Sequence, residues 1–285
     1  DSPMVPPSPH YLTSFLPKQS DHEALLLPPE KEVKYTVFYF PGCGSERLYS
    51  DIGMAAIYTL LKNNVRIILP PPSLCCGFPA KVNAKKKMAE EIGLRDTIIL
   101  TQIRDMLGHL VFDNFLVSCG TCRESLHEMG VEKIFECRVD DVSHFLLDKV
   151  NMQLPVKQQQ EVLYHTPCHD SLEGEGKAIV SRMFSGVQSV PNCCSEAGTL
   201  ALSRPDISSA MRLRKRNAID RVKTSANQPR LISTNCPSCL SGLGRNTDMN
   251  IVPRHMVVLL AEISGGKNWQ DHFAALVRKA ELVTF

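Results

Sequence analysis

The strongest chemical signature in this chain is its cysteines, 11 in 285 residues. Ten of them form one arrangement used twice. The first set is Cys43, the adjacent pair Cys75-Cys76 and Cys119-x-x-Cys122. The second is Cys168, the pair Cys193-Cys194 and Cys236-x-x-Cys239. Matching order and closely matching gaps mark an internal duplication. Three chemistries use patterned thiols. A disulfide framework suits short secreted chains, whereas this one is long, carries no signal-like segment and has an ordinary core composition. Adjacent cysteines also make poor disulfide partners for each other across a trans peptide. Structural zinc takes four ligands, one fewer than each set offers, so zinc in one set stays open as an alternative. Iron–sulfur chemistry fits best, because thiolates are the usual cluster ligands and a vicinal pair can serve different irons.

The elements that must position these thiols follow from the apolar pattern. Strands are expected at 33–40, 65–69, 114–118 and 132–135, and again at 161–165, 187–190, 230–234 and 249–252. Helical spacing lies between them, at about 50–62, 80–107, 121–129 and 139–150, then 174–184, 204–224, 238–244 and 254–263. This alternation predicts an α/β fold of two similar Rossmann-like units with parallel sheets. Every cysteine element then leaves the C-terminal end of a strand, where open α/β sheets bind ligands. The first unit is expected over 31–150 and the second over 161–285, ending in a C-terminal helix anchored by Trp269. Residues 151–160, with Gln158-Gln159-Gln160, are expected to be a linker. Residues 1–30 hold seven of the 19 prolines and predict an extended tether. With Asp1 in place of an initiator Met, the chain reads as a piece of a longer polypeptide.

Composition narrows the function. A net charge of +2 gives no global field for nucleic acid, and no nucleic-acid module is present. The longest apolar stretches, such as Met256–Ala261, fall far short of the ~18 residues a membrane helix needs. The expected location is cytoplasmic, with peripheral association at the inner membrane face and a quinone acceptor as the wider option.

The segments Pro41-Gly42-Cys43-Gly44, Cys75-Cys76-Gly77-Phe78-Pro79 and Ser118-Cys119-Gly120-Thr121-Cys122 resemble the cysteine-rich CCG domain. A second copy is similar over Tyr164-His165-Thr166-Pro167-Cys168-His169, Cys193-Cys194-Ser195-Glu196-Ala197-Gly198 and Asn235-Cys236-Pro237-Ser238-Cys239. Tandem CCG domains occur in one of the subunits of heterodisulfide reductases and in iron–sulfur parts of glycolate, lactate and glycerol-phosphate dehydrogenases. The C-terminal region of large bacterial FAD-linked 2-hydroxyacid dehydrogenases is similar too. The resemblance implies an iron–sulfur electron-transfer module of an FAD-linked 2-hydroxyacid oxidoreductase, not catalytic alone. It implies two 4Fe-4S clusters, cubane or non-cubane, on the ten cysteines. FAD would lie only on a partner flavin dehydrogenase domain, which with a ferredoxin-like domain would share the full-length chain. Pro41-Gly42-Cys43-Gly44 lacks the third glycine of a dinucleotide fingerprint, so no flavin site is expected here. The alternatives are a disulfide-reducing catalytic module of the heterodisulfide reductase type and a zinc-stabilised interaction domain. Two departures stand out: Ser195 where the family usually has Gly, and Thr166 where it usually has Asp.

Other residues complete the candidate set. His169, next to Cys168, is the expected cofactor-binding histidine, through a hydrogen bond to a cluster sulfur, with a satisfied packing histidine as the alternative. His165 could pair with it on zinc, but Pro167 between them forbids a regular helix. His109, His127, His144 and His255 are expected to be structural. Cys137 lies outside both sets and is expected to pack as a small apolar residue. The basic stretches Lys81–Lys87 and Met211–Lys223 predict solvated helix faces, or docking of an acidic partner domain.

Overall fold

The computed structural model describes residues 8–72, 74–196, 200–222 and 229–285. The first half of the chain supplies strands β1 (Glu23–Leu27), β2 (Tyr35–Phe40), β3 (Val65–Leu69), β4 (Asn114–Val117) and β5 (Val139–Asp141). The second supplies β6 (Gln158–Tyr164), β7 (Phe184–Ser189), β8 (Arg230–Thr234), β9 (Ile251–His255) and β10 (Glu281–Thr284). Four parallel strands in the order β3-β2-β4-β5 are matched by four in the order β7-β6-β8-β9. The duplication seen in the cysteines is thus a duplication of topology.

Both faces of the first sheet's central strands β2, β3 and β4 are covered, which is why those strands are mostly apolar. Val37 and Tyr39 of β2 face a core shared with the second sheet, while Phe38 and Phe40 face a separate outer core. The shared core takes Val162 and Tyr164 of β6 and Leu231 of β8. Between the sheets it is filled by the helices Ser50–Lys62, Gly176–Met183, Met256–Gly265 and Trp269–Leu276. Trp269 packs on Tyr58 there, with ring centroids 5.7 Å apart. One continuous core therefore binds the two halves.

Several boundaries differ from expectation. The proline-rich N-terminus is not a free tether over its described part. Leu12 is buried in a short turn, and β1 pairs antiparallel with β3 and with β10. The apolar run Ala24–Leu27 carries no proline, so its amides are free to pair. Residues 1–7, with Pro3, Pro6 and Pro7, lie outside the described residues. The chain's last strand, β10, also joins the first sheet, so the expected division between 31–150 and 161–285 is crossed at both ends. The segment 132–135, expected as a strand, is part of the helix Val131–Phe135. Val131 and Phe135, four residues apart, bury one helical face, Phe135 against Phe38, Phe112 and Phe115. The polar Gln158–Gln160 run opens β6 rather than extending the linker, because ladder pairing with Phe184 needs only its backbone. The single helix expected at 80–107 is two, Phe78–Val82 and Lys86–Met106, broken where Ala84 takes φ 57.

Candidate metal centre

Each cysteine loop leaves the C-terminal end of a strand: Cys43 follows β2, Cys75-Cys76 follows β3, and Cys119 follows β4. Cys168, Cys193-Cys194 and Cys236 follow β6, β7 and β8 in the same way. Cys119 and Cys236 are the N-caps of the helices Gly120–Glu128 and Pro237–Gly244, so each CxxC motif wraps a helix N-terminus. Partial positive charge at such an end favours thiolates. Gly42, at φ 61, lets the Cys43 loop close over this turn, since a Cβ there would stand 2.9 Å from Cys122 Sγ. Gly77, at φ 76, turns the chain after Cys75-Cys76 so that the Gly77 and Phe78 amides donate to the two sulfurs. The second pair repeats this: Ser195 N donates to Cys193 Sγ at 3.4 Å, and the Glu196 amide donates to Cys194.

The sulfurs of each set converge, and the two sets meet. Cys43 contacts Cys75, Cys75 contacts Cys76, and Cys122 donates to Cys76 at 3.5 Å. Cys122 also contacts Cys119, which touches Cys236 of the other set. The line continues through Cys239, Cys194 and Cys193 to Cys168, whose sulfur is 3.8 Å from that of Cys193. Cys168 at one end is exposed, while both CxxC motifs in the middle are buried. Without metal the thiols share protons. The hydrogen bond from Cys43 pushes Cys75 far down, and that from Cys193 does the same for Cys194. Hydrogen bonds to Cys75 and Cys194 push Cys43 and Cys193 far up. Five packed thiols cannot all ionise alone, whereas a polynuclear cationic centre takes them all as thiolates.

The second set has charged company that the sequence did not reveal. Lys215 is fully buried on the helix Pro205–Asp220. Its three Nζ protons are shared among the carbonyls of Val190, Pro191 and Asn192 at 3.0, 3.0 and 3.2 Å and His165 Nδ1 at 2.9 Å. Burial pushes its amine down to about 8, against the pull of Cys194, Cys239, Cys193 and Cys168. An ammonium only donates, so Nδ1 accepts and the imidazole proton sits on Nε2. That Nε2 has no hydrogen-bond partner among the described residues. The ring lies beside sulfur, since His165, Cys194 and Cys239 place ligand atoms within 4.8 Å of one another. A buried N–H left without a partner beside thiols fits an anionic cluster.

Ser195 shows why its position usually takes Gly. It sits at φ 68, fully buried, and its hydroxyl has no partner among the described residues. Left-handed backbone costs a non-glycine residue roughly 1–2 kcal/mol. Ser195→Gly is expected to stabilise the anaerobically purified protein by about 1 kcal/mol, roughly 2–4 °C in Tm, with iron content unchanged. A fall in Tm would mean that the hydroxyl makes a bond worth more than the backbone strain.

The remaining candidates sort cleanly. His169, the expected cofactor-binding histidine, directs Nδ1 to Glu124 and sets its ring edge-on to Phe78, 4.9 Å between centroids. The imidazole at the sulfurs is His165. Cys137 packs beside the outer core, and burial pushes its thiol up to about 12. His127 and His144 bond Glu132 and Asp140. His255 is a buried helix cap that meets the Ser118 carbonyl at 3.1 Å. In the basic stretches Lys81 pairs with Glu128 and Arg216 with Asp248 at the surface, and Lys215 is the buried member. Lys223, Ala197 and Gly198 lie outside the described residues.

Comparison with known proteins agrees with this geometry. One of the subunits of the fumarate reductase (CoM/CoB) of Methanothermobacter marburgensis is 25% identical over 75% of this chain and 44% of its own length. A probable glycolate oxidase iron-sulfur subunit of Bacillus subtilis is 24% identical over 88% of this chain and 60% of its own. The glycolate oxidase iron-sulfur subunit of Escherichia coli is 23% identical over 83% and 62%. The chain thus spans about half the length of the curated relatives it matches. The cysteine-rich domain CCG matches residues 37–127 and again 162–244, one copy in each half. Since those two copies take up most of its length, this chain belongs to the CCG cysteine-rich domain family.

Proposed function

We propose that this chain is the iron–sulfur electron-transfer module of an FAD-linked 2-hydroxyacid oxidoreductase, with one 4Fe-4S cluster on each cysteine set. Cys43, Cys75, Cys76, Cys119 and Cys122 would hold the first, and Cys168, Cys193, Cys194, Cys236 and Cys239 the second. The observation that carries this is the unbroken line of sulfurs from Cys43 to Cys168, joined at Cys119 and Cys236. Clusters so placed would supply one-electron transfer. The protein's own part is to bury them, donate amides to their sulfurs and leave one end near the surface. A flavin domain, which takes the hydride or carbanion chemistry, is the proposed donor, a ferredoxin-like domain a relay, and a quinone an acceptor. The names of the glycolate oxidase relatives support a flavin-linked partner.

The cluster-loaded chain, mixed anaerobically with glycolate, D-lactate or D-2-hydroxyglutarate, should keep its visible absorption until a flavoprotein is added. Bleaching by substrate alone would make the chain an enzyme in its own right. Colourless protein containing zinc but no iron would instead establish the zinc-stabilised interaction domain. A second reading is favoured by exposed Cys168, which lines an open cleft with Thr166, Ser189, Asn192 and Cys193. Such a cleft suits a disulfide substrate meeting the second set directly, and thiol release from an added disulfide by the prereduced chain would support it.

A further inference from the structure

The two sets sit beside buried charges of opposite sign, and the difference is built into matching places of the duplicated fold. In each half a long helix follows the cysteine pair and buries one charged side chain. It is Asp96 on Lys86–Met106 and Lys215 on Pro205–Asp220. Asp96 accepts the Cys75 amide at 3.2 Å and is held by Arg95 at 2.8 Å, so the first set faces a carboxylate with its own cation. Lys215 has neutral acceptors, three carbonyls and one imidazole, and its charge is left to act on the sulfurs. The imidazole is asymmetric too. Val37 pairs with Ile67 and Asn114 as Val162 pairs with Val187 and Leu231. Two residues further, Tyr39 bonds Ser118 and Tyr164 bonds Asn235, each just before a CxxC motif. The next residue is Phe40 in the first half and His165 in the second, so a hydrocarbon ring stands where the other set has an imidazole beside Cys194 and Cys239.

A buried cation and hydrogen bonds to sulfur both favour the reduced, more negative state of a cluster. We infer that Lys215 and His165 make the second cysteine set the more easily reduced of the two. Electrons entering the chain then settle on the side that ends in exposed Cys168. The inference rests on the two-cluster reading above. Its step is the transfer of one electron, from a reduced flavin in the working assembly or from dithionite in the test. The donor is oxidised by one electron, no bond forms or breaks, and the second set becomes one unit more negative beside Lys215.

The test is a dithionite titration of the anaerobically purified full chain, followed by EPR, with iron counted on every variant. The unaltered chain should reduce in two steps. Lys215→Met should shift the oxidised-to-reduced balance of the upper step at least tenfold, about 59 mV downward for one electron, and leave the lower step in place. His165→Phe, which installs the residue of the first half, should lower the same step by less. With full iron, an unmoved upper step in Lys215→Met, or a shift confined to the lower step, overturns the inference. If Lys215→Met does not fold, His165→Phe decides, and an unmoved upper step there is equally fatal. A single reduction step, or iron for one cluster, in the unaltered chain defeats the two-cluster reading before any variant is compared.

Discussion

Cys122→Ser and Cys239→Ser should each lose the iron of their own set and keep that of the other, while Cys137→Ser should lose none. Cys122 and Cys239 are buried, each lies on the first turn of a helix, and each touches sulfurs of its own set. A serine hydroxyl is a poorer ligand for iron than a thiolate, and the thiols beside either position are already ligands in the proposed clusters. Cys137 belongs to the packing around the outer core, and burial, not a neighbouring thiol, chiefly shifts its own. Stability should follow iron. Structural metal centres contribute on the order of 10 kcal/mol to the folding of small domains, and the two halves here share one core. Loss at either set should therefore lower the unfolding temperature of the whole chain, not of one half. Iron and sulfide per chain, with thermal unfolding under argon, measure both effects. Equal iron loss in Cys137→Ser would show that the ligands are wrongly partitioned.

The cysteine sets were legible because duplication writes the same pattern twice, and chance does not repeat a single, a pair and a CxxC in order. Strand positions were legible for a related reason: buried parallel strands are continuous apolar runs, as in Tyr35–Phe40 and Val65–Leu69. What pairs across long distances left no local trace. β1 and β10 stand at opposite ends of the chain, and their register, Glu23 opposite Thr284, follows from tertiary packing alone. The meeting of Cys119 with Cys236 is of the same kind. Lys215 was missed for a different reason. It stands among six basic residues in 211–223, and a charge run ordinarily means a solvated face. A signal was nevertheless present, because Lys215 falls on the helical stripe of Ser208, Ala218 and Ile219, all buried. One cation on an apolar stripe is a buried cation, and it needs acceptors or an anion.

Gly120→Ala should be among the most damaging single-methyl changes at the described residues. A Cβ at Gly120 would lie 1.8 Å from the His169 carbonyl oxygen and 2.4 Å from its carbon. The duplication relates this contact to that of Gly44 with Pro237, Gly44 standing for His169 and Pro237 for Gly120, and a Cβ on Gly44 would lie 2.7 Å from the Pro237 ring. In both places the residue after a cysteine of one half abuts the residue after a cysteine of the other. At Gly44 the obstacle is a side-chain ring; at Gly120 it is backbone, and that backbone is pinned. Asp170, next in sequence, accepts the Leu172 and Gly174 amides at 3.0 and 2.8 Å and the Asn235 side chain at 3.3 Å. Neither side can give without moving a ligand loop, Cys119–Cys122 on one side or Cys168 on the other. Overpacking ordinarily costs 1–3 kcal/mol, and with backbone on both sides more than ~3 kcal/mol is expected. Iron should fall in both sets, unlike the one-sided loss of the cysteine variants. Gly93→Ala is the control: that helical glycine has nothing within 4 Å of a Cβ, and the change should stabilise by about 0.5–1 kcal/mol. Chemical unfolding of the three proteins under argon, with iron counted on each, reads the difference. Gly120→Ala at unchanged stability and full iron would mean that the two halves do not meet at Gly120 and His169, and the junction of the two sulfur sets would fall with that contact.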